Sequence, residues 1–535
     1  MKKQITILFL ITFYNVTDAQ FVNYQVNTPS ARQPNEVSIA INPLNPNNIA
    51  AGSNLYYLYL STDAGKTWIQ KQMSSVWNVW GDPCLIYDAA GNLYYGHLSD
   101  QRNTSSGYWI DRIVVQRSIN NGLEWDADAG VGFNPPAKQQ DKEWLAADIT
   151  NSLYRNNLYM AWTEFDKYGS ANPSDSSRIR FSRSKDSGLN WSAPVRISTR
   201  GGDCLDADNT VEGCVPAIGP NGEVYLSWSG PLGIMFDKSL NGGVSFGSDK
   251  HVANLSAGWD FAVPGIYRAN GFPVTACDVS NSSFRGNIYI NWSDQIDGDT
   301  DIFFSKSTNG GNTWSLPKKV NNDILKRHQF FNWMSVDPKT GIIYIIFYDR
   351  RDNLDPTNLQ THVYLARSDD GGDTFKNYRI SESPFFPTST VFFGDYTNIA
   401  SYNGKVHPIW MRLNGSTMSI WTTTIHDSLL SEPKNDINQL ITSFNLFQNF
   451  PNPFNPTTTI NYNVPFESFI RLKVYNVLGN EIATLVNSNK QQGAYKVEFD
   501  GSNLSSGMYL YRLEATSIWD NKKNFVESKK MILVK

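Results

Sequence analysis

The sequence predicts an all-β protein, a β-propeller followed by a small β-sandwich, and three observations predict it. An eight-residue turn pattern recurs six times at near-constant spacing between residues 61 and 375. Short apolar strands and tight turns alternate between its copies. Beyond residue 442 a different set of short strands and glycine turns takes over. Composition agrees: 16 Trp, 26 Tyr and 29 Phe stand against only 18% charged residues. Rigid aromatics joined by Gly, Asn and Ser turns suit strands. At 535 residues the chain exceeds one ordinary core, so two or three domains are expected.

Residues 1–19 read as a secretory signal peptide. Lys2 and Lys3 give the positive start, Ile5 to Val16 the apolar run, and Thr17-Asp18-Ala19 the cleavage site. Spanning a bilayer takes about 20 apolar residues, and no later stretch reaches that, so no transmembrane segment is expected. The mature chain begins near Gln20 and works outside the cytoplasm. In an oxidising compartment Cys204 and Cys214 are expected to close a small disulfide loop. Cys84 and Cys277, at equivalent places in two repeats, read as buried apolar residues. Their spacing matches no zinc motif, and no phosphate-binding or dinucleotide fingerprint appears, so neither metal nor cofactor is expected. A net charge of −4 supplies no basic patch, which excludes nucleic acid as a partner.

The repeated pattern is Ser-x-Asp/Asn-x-Gly-x-x-Trp/Phe. It occupies Ser61–Trp68, Ser118–Trp125, Ser184–Trp191, Ser239–Phe246, Ser307–Trp314 and Ser368–Phe375, with starts 57, 66, 55, 68 and 61 residues apart. Asp63, Asn120, Asp186, Asn241, Asn309 and Asp370 can each accept the amides that follow, as an Asx turn does. The glycine permits positive φ, and the terminal ring is expected to pin the turn against its own sheet. These residues are structural, not catalytic.

Each copy follows an apolar strand, a Gly-Asn type turn and a Tyr/Trp-rich strand, as in Cys84–Tyr87 before Leu93–Tyr94. Two inner strands plus the hairpin carrying the pattern make four, one propeller blade. A seventh unit lacks the pattern and offers three strands: Thr397–Ser401, Lys405–Met411 and Met418–Thr424. The segment Phe21–Val26 can supply its fourth and close the ring, leaving no exposed edge. Residues 20–428 thus divide into seven blades of about 58 residues, six being the alternative.

The pattern resembles the Asp box of sialidase-like and other BNR-repeat propellers. The resemblance implies ligand binding at the rim of a central channel, where the innermost strands begin. Aligning those strands brings Glu36, Asp82, Lys142 and Asp395 there, with Asp141 and Glu143 beside them. The candidate catalytic residues are Asp82, Glu143, Tyr348, Arg350 and Asp395; the candidate ligand-binding residues are Glu36, Asp141, Lys142, Arg351 and Tyr396. Acids converging with cations can bind a polar ligand or raise a carboxyl's pKa for acid catalysis. They can equally bond to backbone amides between blades.

A sialidase would need an arginine triad, a Tyr/Glu nucleophile pair and an Asp acid/base. Arg32-Gln33-Pro34 is similar to the family's Arg-Ile-Pro motif, but no arginine lies between Arg32 and the first box. A triad would then draw on Arg32, Arg268 and Arg350, with Tyr348 or Tyr396 as nucleophile. His97 and His407, on second strands, are the bases a polysaccharide lyase would use, or packed strand residues.

Residues 429–441 read as a linker. The segment 442–535 carries Asn449-Phe450-Pro451-Asn452-Pro453, Val474-Tyr475-Asn476-Val477-Leu478-Gly479, Gly507-Met508-Tyr509 and a final Lys530-Met531-Ile532-Leu533-Val534-Lys535. These motifs, in this order, resemble the type IX secretion sorting domain, which implies a small Ig-like β-sandwich and the type IX secretion machinery as partner. The expected protein is a secreted or cell-surface propeller that binds a glycan or surface-protein ligand at its channel. The alternative is a carbohydrate-active enzyme, an exo-α-sialidase-like hydrolase or a polysaccharide lyase.

Overall fold

The protein is described from a computed structural model covering residues 21–100, 109–126, 128–132, 138–353, 355–431, 443–449, 451–517 and 524–535. The signal peptide, and the linker but for residues 429–431, lie outside these. Every regular element among the described residues is a strand except one helical turn, Ser428–Ser431. The chain forms two compact units, Met1–Leu430 and Ser431–Lys535.

The first unit contains seven antiparallel sheets, one to seven, each a four-stranded meander, the seventh with the short strand Ile425–His426 added. Their innermost strands are Ser38–Ile41, Gly81–Tyr87, Gln139–Ala147, Glu212–Ile218, Val274–Cys277, Gln329–Val336 and Asn398–Tyr402. Six sheets are continuous in sequence. The seventh takes its outer strand, Asn23–Gln25, from the start of the chain, pairing Asn23 with Thr423 and Gln25 with Trp421. Each innermost strand contacts the next, and the seventh contacts the first. A two-stranded ribbon, Asp260–Phe261 with Ala269–Asn270, is inserted between sheets four and five.

The sequence writes each layer differently because burial differs. Second strands such as Leu158–Phe165 and Leu93–Ser99 are buried at every residue, since both faces are covered by neighbouring sheets. Each large apolar side chain so buried contributes roughly 1.5–3 kcal/mol. Outermost strands such as Ile69–Gln72 face solvent and are mostly polar.

The six boxes share one hydrogen-bond pattern. Ser61 Oγ donates to Asp63 Oδ1 at 2.8 Å, Gly65 N donates to Ser61 Oγ at 2.9 Å, and Thr67 N donates to Asp63 Oδ1 at 2.9 Å. The serine-to-glycine bond recurs at 2.8–2.9 Å in the other five. Burial works against the charge of Asp63, Asp186 and Asp370, but the donated hydrogen bonds win and hold all three below the usual carboxylate range.

The ring's destination amends the sequence expectation in part. Trp125 meets it, lying edge-on against Tyr95 of its own sheet at 6.1 Å, but Phe246, Trp314 and Phe375 also reach beyond their own sheets. They pack edge-on against Phe181, Phe236 and Phe304 of the preceding sheet, with centroids 4.8, 5.0 and 5.1 Å apart. The box glycine faces the same way: a Cβ on Gly372 would lie 2.4 Å from Phe304 Cζ. In the first box the partner belongs to the seventh sheet, where Thr424 Oγ1 donates to the Ala64 carbonyl at 2.6 Å. Each box therefore latches one sheet to its predecessor. A turn at the sheet's outer corner has the neighbour's third strand, not its own, beneath it.

The cysteines also differ from expectation. All four are buried free thiols, and no Cys204–Cys214 disulfide forms. Cys214 lies inside the strand Glu212–Ile218 among Tyr159, Phe181 and Trp228, while Cys204 sits in a separate loop whose carbonyl accepts Gly169 N.

The second unit has a three-stranded sheet (Asn445–Leu446, Thr457–Val464, Gly493–Asp500) and a four-stranded sheet (Glu481–Lys490, Ser468–Tyr475, Gly507–Ser517, Asn524–Leu533). Residues alternate buried and exposed along Thr457–Val464 and Gly507–Ser517, as a sheet with one covered face requires. Ile460, Tyr462, Leu472, Val474, Tyr511, Leu513 and Met531 form its core.

Candidate functional site

A local irregularity at the start of the inner strands builds the site. In sheets two, three, four and six the pairing slips where the strand enters, between Gly81 and Cys84, Asp141 and Trp144, Glu212 and Val215, and Phe330 and Trp333. Each slip holds a residue at positive φ: Asp82 at 49° after Gly81 at 116°, Lys142 at 52°, Gly213 at 75° and Phe331 at 54°. Glu36 of sheet one likewise sits at 50°. Such bulges re-aim a side chain. Here they bring Asp82 and Lys142, from adjacent sheets, into contact.

Four consecutive sheets, seven to three, contribute Asp395, Glu36, Asp82 and Lys142. Lys142 Nζ donates to Asp395 Oδ2 at 2.6 Å and to Glu36 Oε1 and Asp82 Oδ2 at 3.2 Å each. All four are at least nine-tenths buried. Arg268, on the inserted ribbon, donates through Nε to Asp395 Oδ1 at 2.7 Å and through Nη1 to Asp206 Oδ2 at 3.2 Å. Asn54 donates to Glu36 Oε2 and accepts Asp82 N at 2.7 Å. Beneath Lys142, Trp144, Trp333 and Tyr396 form an aromatic layer, with the two indoles 4.2 Å apart.

Charge sharing follows from this geometry. Burial opposes ionisation of Asp395, yet Lys142 and Arg268 hold its carboxyl far below the usual range. Glu36 goes the other way, raised by burial and by Asp82. Burial would neutralise Lys142, but Asp395, Asp82 and Glu36 keep it charged. The voids beside Lys142 measure about 20 Å³ each, about the space of one water.

A second group of acids lies next to the cluster. Asp141 is pushed up to about 7 by burial, opposed by Lys142 and reinforced by Asp82 and Asp206. Burial, then Asp206 and Asp141, raises Glu212. Glu143 is raised by burial and by Asp82, and neither of its oxygens has a partner among the described residues.

The other candidates lie apart from this mouth. Tyr348 is fully buried; its hydroxyl donates to the Met411 carbonyl and accepts Met411 N, both at 2.9 Å, tying sheet six to sheet seven. Arg350 bonds Thr361 Oγ1 and the Pro264 carbonyl, and Arg351 pairs with Asp349. His97 is buried against the Leu98 carbonyl and Ser99 Oγ, and burial lowers its pKa to about 4. His407 is likewise lowered to about 3, by burial and then Lys405. Neither reaches the mouth as a base. Asn54, Asp206, Trp144 and Trp333 complete the site without having been singled out. The two indoles share a signal, standing two residues after the bulged position in their repeats.

Fold and site together define an all-β, repeat-built protein with a buried charge cluster where its inner strands begin and a separate two-sheet C-terminal unit. No described helix is long and apolar enough to cross a membrane. Residues 448–528 match the secretion system C-terminal sorting domain. The chain is a secreted or cell-surface protein handled by the type IX secretion system. No curated protein matches it. Among solved structures it is similar to a protein of unknown function from Dyadobacter fermentans (11% identity, 76% of this chain and 97% of that one, TM-score 0.43). It is also similar to an ulvan lyase (12%, 76% and 95%, TM-score 0.44) and to the Trypanosoma rangeli sialidase (11%, 86% and 86%, TM-score 0.40). Likenesses at these scores carry no argument about what this chain binds.

Proposed function

We propose that the mature protein is a noncatalytic surface module, a seven-bladed Asp-box propeller over residues 20–428. A linker, 429–441, joins it to an Ig-like sorting domain over 442–535, and it binds a glycan or a surface protein through its channel rim. Seven four-stranded meanders in cyclic contact support the blade count. The observation that carries the noncatalytic reading is the burial of Glu36, Asp82 and Asp395 on one ammonium, Lys142. A glycosidase holds its two carboxyls about 5–10 Å apart across an open cleft. These three converge on a single Nζ with one water's worth of space beside it.

The test is incubation of the exported chain with sialosides and acidic polysaccharides, beside an Asp82→Asn variant. No released sugar and no unsaturated product is expected from either protein. Product formed by the native chain and lost in Asp82→Asn would overturn the proposal.

A further inference from the structure

At the other end of the inner strands, six residues or about 20 Å from the bulges, the turns into the second strands enclose a cavity of about 380 Å³. That is within the range of small-molecule sites. Sheets one, two, three, five, six and seven all contribute to its wall. The charged residues lining it are Arg155, Arg285 and Lys339, and Tyr402 adds an aromatic face with Lys339 Nζ 5.5 Å from its centroid. No acid lines it. Four carboxylates adjoin the lining in sequence, Asp88, Asp148, Asp278 and Asp337; all are fully buried and accept from their own turns: Asp88 from Ala90 N and Asn92 N, Asp148 from Thr150 N and Ser152 Oγ, Asp278 from Ser280 N and Ser282 Oγ, Asp337 from Lys339 N. None of the three cations pairs with an acid among the described residues.

Both arginines come from one loop written twice. Asp148-Ile149-Thr150-Asn151-Ser152-Leu153-Tyr154-Arg155 and Asp278-Val279-Ser280-Asn281-Ser282-Ser283-Phe284-Arg285 share the form Asp-x-Ser/Thr-Asn-Ser-x-Tyr/Phe-Arg. In each, arginine Nη1 donates to the carbonyls one and two residues after the aspartate, Thr150 at 2.6 Å and Ser280 at 2.7 Å among them. The ring before each arginine lies on the next sheet's box, where a Cβ on Gly242 would meet Tyr154 Cδ1 at 2.6 Å and one on Gly371 would meet Phe284 Cδ1 at 2.5 Å. The guanidinium is thus held at one nitrogen by a braced loop. Nε and Nη2, the edge that grips an oxyanion in two parallel bonds, have no partner among the described residues.

We infer that this mouth is a binding site for an acidic saccharide, with Arg155 and Arg285 gripping carboxylate or sulfate groups, Lys339 adding charge and Tyr402 a stacking face. The inference names the ligand class and the mouth for the binding role proposed above, and rests on that role. A saccharide fits better than a peptide because the exposed, uncharged amides of Asn151 and Asn281 stand between the cations, matching hydroxyls between acidic groups.

Calorimetric titration of the full chain with trigalacturonate, a neutral galactotriose, inorganic sulfate and hexaglutamate tests it. Trigalacturonate is expected to bind, more weakly as salt rises, and the neutral sugar not to bind. The double variant Arg155→Gln/Arg285→Gln should lose roughly tenfold or more, the worth of one to two charge-assisted hydrogen bonds. Lys339→Gln should lose roughly three- to tenfold; its Nζ makes no hydrogen bond among the described residues, so loop collapse cannot explain that loss. Unchanged affinity in both variants overturns the inference. So does sulfate matching trigalacturonate, which marks an adventitious ion only, or hexaglutamate binding more tightly, which marks an acidic peptide. Turnover at the Lys142 mouth would defeat the noncatalytic reading and leave this result standing; failed binding without turnover would do the reverse.

Discussion

Gly310 and Gly372 separate two reasons for a glycine in the boxes. Each box places two consecutive residues at positive φ. The first can carry a side chain, since Ala64, Asn121 and Ser187 sit there at 60°, 57° and 57°. Gly310 occupies that place at 69° with only Lys238 Nζ at 3.8 Å from a built Cβ. Gly310→Ala should therefore cost only the left-handed penalty of about 1–2 kcal/mol, reduced by about 0.4–1 kcal/mol through the stiffer unfolded chain. Gly372 occupies the second place at 84°, and its Cβ would lie 2.4 Å from both Phe304 Cε1 and Cζ. Gly372→Ala adds overpacking of about 1–3 kcal/mol to the same reduced backbone term, so its total reaches about 1–5 kcal/mol. Guanidinium unfolding followed by tryptophan fluorescence measures both. Equal losses would show that backbone conformation alone explains the glycines and that the boxes do not latch neighbouring sheets.

Three further outcomes follow from the geometry. Tyr348→Phe removes the hydroxyl shared with both Met411 backbone groups, so it should cost about 1–3 kcal/mol in unfolding free energy and leave ligand binding unchanged. Asp141 is raised to about 7 in the folded state, so its contribution is fully present below its unfolded value and is lost as pH rises through 7. Asp141→Asn should then be more stable than the native chain above pH 7, with the gain shrinking toward pH 4 in denaturation curves at several pH values. A thiol reagent should find no reactive cysteine in the folded chain and all four after unfolding without reductant; two or fewer would restore a disulfide.

The repeat and the tail were legible because each carries its physics locally. A serine, an Asx residue, a glycine and a ring at fixed offsets close one turn whatever surrounds it. The Lys142 cluster was legible too, because equivalent positions of a repeat must meet where the repeats converge. What escaped was contact between repeats. Nothing in Ser239–Phe246 says that Phe246 lies on Phe181 rather than on its own strands, because that depends on the twist of whole sheets. Tyr348, Arg350 and Arg351 sit together in sequence and follow an inner hairpin, yet each is bonded elsewhere. Arg268, expected only as a member of an arginine triad, reaches the cluster from an inserted ribbon outside the repeat, where alignment of strands could not place it.

Lys142→Met decides whether the channel mouth is a lock or a reaction site. Removing the ammonium leaves Glu36, Asp82 and Asp395 buried without their shared partner, a change that typically costs about 3–5 kcal/mol. The account predicts a loss of that size at pH 8, partly recovered near pH 5 as the carboxyls take up protons, with binding at the opposite mouth intact in whatever protein remains folded. A variant as stable as the native chain, but stripped of turnover or binding, would contradict it.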